Sequence, residues 1–151
     1  MKLKFIFTGI VCFVFLLGVS QQTSEQYLIG KYFGRTPCQE LAKQLHHATI
    51  PECIKIKWDL ELYGIKGDIH SGKFKLQGLG YRGQTALEGQ WNILRGTAVD
   101  PGAIVYELVI PGKGNLLLQK VGDDVLFFLD EQKNLMVGNY DFSYALNREI
   151  K

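Results

Sequence analysis

Apolar and polar residues alternate along most of this chain. In CIKIKWDLELYG, residues 53–64, Ile54, Ile56, Trp58, Leu60 and Leu62 fall on one face, and Lys55, Lys57, Asp59, Glu61 and Tyr63 on the other. A period of two marks an antiparallel strand with one dry face and one wet face. KFKLQGLGYR, 73–82, repeats the pattern with Phe74 and Leu76 set against Lys73, Lys75 and Gln77. TALEGQWNILRG, 85–96, places Leu87, Trp91 and Ile93 on one side. Further strands are predicted at 103–110, 115–121, 125–130 and 140–147. The segments between them (GIKGDIHSGK, RGQ, DPG, PGKGN, GDD and DEQKN) are dense in turn formers. Short strands separated by turns at roughly ten-residue intervals predict a mainly β sandwich or barrel. Gly78, Gly80 and Gly89 lie inside strand patterns and predict bulges or sharp bends. The adjacent Phe127 and Phe128 put one ring on each sheet face, so one of them is expected to cover something outside the core, such as a helix.

One stretch breaks the period. In TPCQELAKQLHHATIPEC, 36–53, Thr36 reads as a helix cap, Pro37 as the first helical residue and Gln39 as its capping-box partner. Leu41, Ala42, Leu45 and Ala48 then form one apolar stripe, and Pro51 bars continuation. A single short helix over 37–47 is predicted, lying across an open end or an edge of the sheet.

The first twenty residues change the reading of the rest. Lys2 and Lys4 precede an apolar run over 5–19 that ends in small residues. The run is shorter than the roughly 20 residues a membrane span needs, so 1–20 reads as a secretory signal peptide and 21–151 as one domain. Cys12 lies mid-run with no small-residue lipobox before it, which argues against a lipid-modified N-terminus. The chain carries 17 basic and 15 acidic residues, and the signal holds two of the basic ones and no acid. The remainder is neutral, so charge gives no reason to expect nucleic acid as a partner. The expected destination is the periplasm or the cell exterior, as a monomer.

Export leaves Cys38 and Cys53 as an even pair where disulfides persist. A helix from Cys38 to Ala48 advances about 15 Å at ~1.5 Å per residue. An extended return to Cys53 covers about 16 Å at ~3.3 Å per residue. The two sulfurs therefore come within reach, and a structural disulfide is the preferred reading. A thiolate at a helix N-terminus also suits redox work, but the partner of Cys38 does not stand at C-x-x-C spacing. A third reading collects Cys38, Cys53, His46 and His47 as ligands for copper or zinc. Against it, adjacent helical histidines point about 100° apart, and both suit the last turn of a helix as favourable positive charge. His70 reads as exposed.

Trp58, Phe74, Trp91 and Tyr106 fall on inward positions, where they either fill a core or line a pocket for a small apolar ligand. No G-x-S-x-G, H-E-x-x-H or phosphate-binding glycine loop is present, and a non-catalytic protein is expected.

Three stretches together resemble a known family. GKYFGRTPC at 30–38 runs an aromatic and a glycine into T-P-C, LEGQW lies at 87–91, and DDVLFFLDEQKNLMVGNYDFSYALNR lies at 123–148. These resemble the N-terminal domain of the NlpE family, bacterial copper-resistance and envelope-stress lipoproteins, over 27–148. The resemblance implies a small barrel or half-barrel related to lipocalins, and an envelope role in binding or stress response (sensing surface attachment, misfolded lipoproteins or copper) with an envelope protein as partner and no cofactor required, copper being the one candidate. Two departures stand out. The family carries C-x-x-C from the cysteine matched by Cys38, whereas position 41 here is Leu and the next cysteine is Cys53. The family is also lipid-anchored. The alternative function is that of a lipocalin-like carrier of a small apolar ligand.

Overall fold

A computed structural model describes residues 25–48, 51–78 and 85–150. The expected signal peptide with its Cys12, the expected bend at Gly80 and the expected RGQ turn lie outside the described residues.

Eight antiparallel strands form a closed barrel in which each strand pairs with the next and the last pairs with the first. They are β1 (Gln26–Pro37), β2 (Lys55–Ile65), β3 (Asp68–Gln77), β4 (Leu87–Arg95), β5 (Ile104–Ile110), β6 (Gly114–Val121), β7 (Val125–Leu129) and β8 (Ala145–Arg148). Closure leaves no free sheet edge along the paired segments. One helix, α1 (Gln39–Gln44), interrupts the β1–β2 connection.

The period-two reading of β2 holds from Ile56 onward: Ile56, Trp58, Leu60 and Leu62 are all buried. Ile54 is 70% exposed because β2 begins only at Lys55. Phe74, Leu76 and Trp91 also point inward, and these side chains join the inward residues of β5 to β8 in one core cluster. Each fully buried large apolar side chain contributes about 1.5–3 kcal/mol.

Phe128 is in the core, while Phe127 is only half-buried on the outer face and belongs to neither core cluster. The outer face has its own small cluster instead, in which Val105, Leu117 and Leu129 pack with Leu94. The 130–135 segment folds back along it, since Leu135 bridges Leu129 and Ala98 donates to the carbonyl of Lys133.

The expected strand at 140–147 starts late. Asn139 accepts the amides of Asp141 and Phe142 on its side-chain oxygen, forming a local turn that keeps 140–144 out of the sheet. Pairing resumes only at Ala145. Bulges occur, but at Leu28/Gly30 in β1 and Gly64/Ile65 in β2. Gly89 keeps regular register with β3, and the pairing of β4 with β5 begins one residue later, at Gln90. The lack of a side chain at Gly89 serves close packing, because a Cβ there would meet the Phe74 ring at 2.8 Å.

Candidate functional site

The barrel has two different ends. Connections β1–β2, β3–β4, β5–β6 and β7–β8 meet at one, which carries α1 and is termed the loop end. The other, where β2–β3, β4–β5 and β6–β7 turn, is termed the turn end.

At the loop end Cys38 and Cys53 form a disulfide, with Cα atoms 5.8 Å apart. Cys38 is 1% exposed and Cys53 half-buried. The helix is shorter than the 37–47 predicted. Pro37 is the last residue of β1, and Cys38, not Thr36, occupies the cap position without a side-chain hydrogen bond. Thr36 is fully buried in the strand, where its hydroxyl accepts the indole N–H of Trp58 at 2.8 Å. The helix stops because His46 turns left-handed at φ 48°, which places His46 and His47 after it.

Leu41, Ala42 and Leu45 are buried, and both leucines belong to the barrel core, so α1 plugs the loop end. Ala48, expected on the same stripe, is exposed past the end of the helix. Polar contacts fix the plug from several sides. The Tyr144 hydroxyl donates to Glu40 Oε2 at 2.8 Å, and Gln44 Nε2 donates to the Asn115 carbonyl at 3.3 Å. Gln39 Nε2 donates to the Cys53 carbonyl at 3.4 Å. Burial, followed by the Glu40 hydrogen bond and charge, pushes the Tyr144 phenol well above its usual range, so it stays a neutral donor.

This geometry bears on the metal set. With the two sulfurs bonded to each other, neither Cys38 nor Cys53 offers a thiolate, and His46 is exposed. Among the described residues no group of three or more His, Cys, Asp or Glu is placed to hold an ion. His70 is exposed on β3.

The four pocket candidates are brought together inside the barrel, but as core. Trp58, Phe74 and Trp91 are each 2% exposed and Tyr106 is 7% exposed. Trp91 meets Tyr106 edge-on at 5.3 Å between centroids, and Trp58 tilts against Phe128 at 5.5 Å. The Trp91 indole donates to the Tyr63 carbonyl at 3.0 Å. Every ring is held by a packing or hydrogen-bond partner.

Open surface lies outside. A groove of about 440 Å³ runs beside the staple, lined by Cys53, Ile54, Val137 and Tyr144 among others. A second, of about 510 Å³, follows the seam where the 141–143 loop lies beside β1 and β2, between Phe33, Arg35, Lys57 and Phe142. Lys55 sits 5.4 Å over the Phe142 ring at this seam. The alternation pattern gives no hint of the seam, because closure of β8 onto β1 creates it.

No family model, curated protein or solved structure matches the chain.

Proposed function

We propose that this chain is an exported, non-catalytic binding module of a bacterial envelope, a stress-associated barrel of the NlpE kind. The observation that carries the reading is the stapled plug. A helix whose leucines are fully buried in the core, tied by a disulfide to the segment that leads into β2, makes the barrel a filled scaffold that binds at its ends and outer surface. The disulfide suits an oxidising compartment, in keeping with the leader-like N-terminus. The partner is then an envelope protein, and the seam with Arg35 and Lys57 suits an acidic segment of it. The copper side of the resemblance draws no support from the thiols, which are already bonded to each other.

The test is to express the chain with its own leader in a bacterial host, fractionate the cells, and record native and intact masses without reductant and with metals retained. The reading expects protein in the periplasm or medium, leader removed, no free thiol and no bound apolar molecule. Retention in the cytosol with the leader attached contradicts export. Stoichiometric apolar ligand supports a carrier instead, and two free thiols with bound copper support a metal handler.

A further inference from the structure

The turn end is built differently from the plugged end. Register fixes which side chains point inward there. Tyr32 pairs with Arg148 across β1–β8, and Gly34 pairs with the fully buried Leu146, so Arg148 continues the inward row of β8. Lys120 pairs with the fully buried Leu126 and with Ile104, two residues before Tyr106, so it continues the inward row of β6. Tyr27 pairs with Gly64, the next inward position after Leu62 on β2.

Glycines make room for rings at this end. A Cβ at Gly30 would meet the Tyr32 ring at 2.8 Å, one at Gly64 would meet the Tyr27 hydroxyl at 2.7 Å, and one at Gly72 would meet the Trp91 ring at 2.6 Å. The Tyr32 ring therefore leans back along β1 toward the turn end, and Tyr27 leans over the rim.

Tyr32 is 2% exposed and Tyr106 is 7% exposed, yet among the described residues neither hydroxyl has a hydrogen-bond partner. Among the described residues no fully buried polar side-chain atom lacks a partner. The two hydroxyl tips must therefore reach solvent at the mouth while their rings stay in the core. Two cations stand beside them. Lys120 Nζ is 2.8 Å from Asp123 Oδ1, and Arg148 donates to the carbonyl of Ile29, the residue at the β1 bulge, at 2.7 Å. Each keeps further N–H donors.

We propose that the turn-end mouth of the barrel, where Tyr32, Tyr106, Lys120 and Arg148 converge under the rim residue Tyr27, binds a small organic monocarboxylate. Two cations against the single carboxylate of Asp123 leave one net positive charge, which matches a monoanion. The free phenol hydroxyls supply neutral donors, and the Tyr27 ring, 52% exposed at the rim, supplies apolar surface for the organic part. Burial first, with nearby charges as lesser influences, raises both phenols above their usual range, so they remain protonated donors at neutral pH. The hydrogen bond to Asp123 likewise holds Lys120 above its usual value, and so charged. This mouth needs neither export nor the disulfide, so its fate is separate from that of the functional reading above.

The experiment titrates the purified, oxidised protein with benzoate, hexanoate and inorganic phosphate, following amide shifts by NMR. The reference variant is Tyr32→Phe/Tyr106→Phe, which keeps both rings and removes both hydroxyls. A second variant, Lys120→Gln, removes one cation at a half-exposed position. The proposal expects saturable shifts on β1, β5, β6 and β8 with at least one carboxylate, and a tenfold or greater loss of affinity in both variants at unchanged unfolding midpoint. Absence of saturable binding, binding that survives both variants, or an equal response to phosphate would overturn it.

Discussion

The indole N–H of Trp58 donates to the hydroxyl of Thr36 at 2.8 Å, joining β2 to β1 inside the barrel just before the chain turns into the plug. Both residues are buried, so the pair satisfies a donor that has no access to water. Thr36→Val keeps the shape and strand preference but removes the acceptor. Its expected cost is about 1–3 kcal/mol, the penalty for leaving a buried donor unsatisfied. Denaturant unfolding checks this, and a Thr36→Ser variant should recover most of the loss.

That contact also shows what local patterning can and cannot reveal. Thr36-Pro37 followed by Gln39 satisfies every local rule for a helix start, yet Thr36 remains in β1 because its neighbour across the sheet offers a hydrogen bond that no nearby position can. The strand faces were legible where one side is dry, as from Ile56 to Leu62, because period two follows directly from burial. The 140–144 segment reads as a strand by composition but is diverted by the Asn139 side chain. The two ends of the barrel were the least legible. Tyr32, Lys120 and Arg148 are far apart in sequence and meet only when β8 closes onto β1.

If the interior aromatic residues are structural, Trp91→Ala should destabilise the fold by about 3–5 kcal/mol through lost burial and the cavity it leaves. The Tyr63 carbonyl would lose its indole donor as well. Calorimetry on the variant distinguishes this from a pocket residue, whose removal would leave the unfolding midpoint near that of the parent.

The staple should contribute chiefly through the unfolded chain. Joining residues 15 apart in sequence limits the unfolded ensemble, and in the chain-entropy model Cys38→Ala/Cys53→Ala should lower stability by about 3 kcal/mol. The barrel strands should keep their pairing in the double variant, as read by far-ultraviolet circular dichroism below the unfolding midpoint.

Acid should weaken the fold through a set of carboxylates held below their usual range. Asp68 is lowered by the Ser71 hydroxyl and then by the amides of His70 and Ser71. Glu61 is lowered by the Tyr63 hydroxyl, against some burial, and then by Lys31. For Asp130, burial works upward but the side chain and amide of Asn134 and the amide of Gln132 outweigh it. A carboxyl lowered in the folded state contributes stability that is complete above its unfolded value, about pH 4, and disappears as pH falls through its folded value. The unfolding midpoint should therefore be flat on the neutral side and drop below about pH 4. Asp68→Asn keeps an acceptor for the β2–β3 turn but cannot titrate, so its acid slope should be shallower than that of the parent.

The central claim is that α1 belongs to the core, not to a mobile lid. Amide hydrogen exchange at Ala42 and Leu45, whose N–H groups donate to the carbonyls of Cys38 and Leu41, tests it most directly. In the oxidised protein these two amides should exchange as slowly as Leu60 and Leu62 in β2, opening only when the barrel itself opens. Fast exchange at Ala42 and Leu45 beside protected β2 amides would contradict the plug, and would return the barrel interior to the reading of a cup that opens for a ligand.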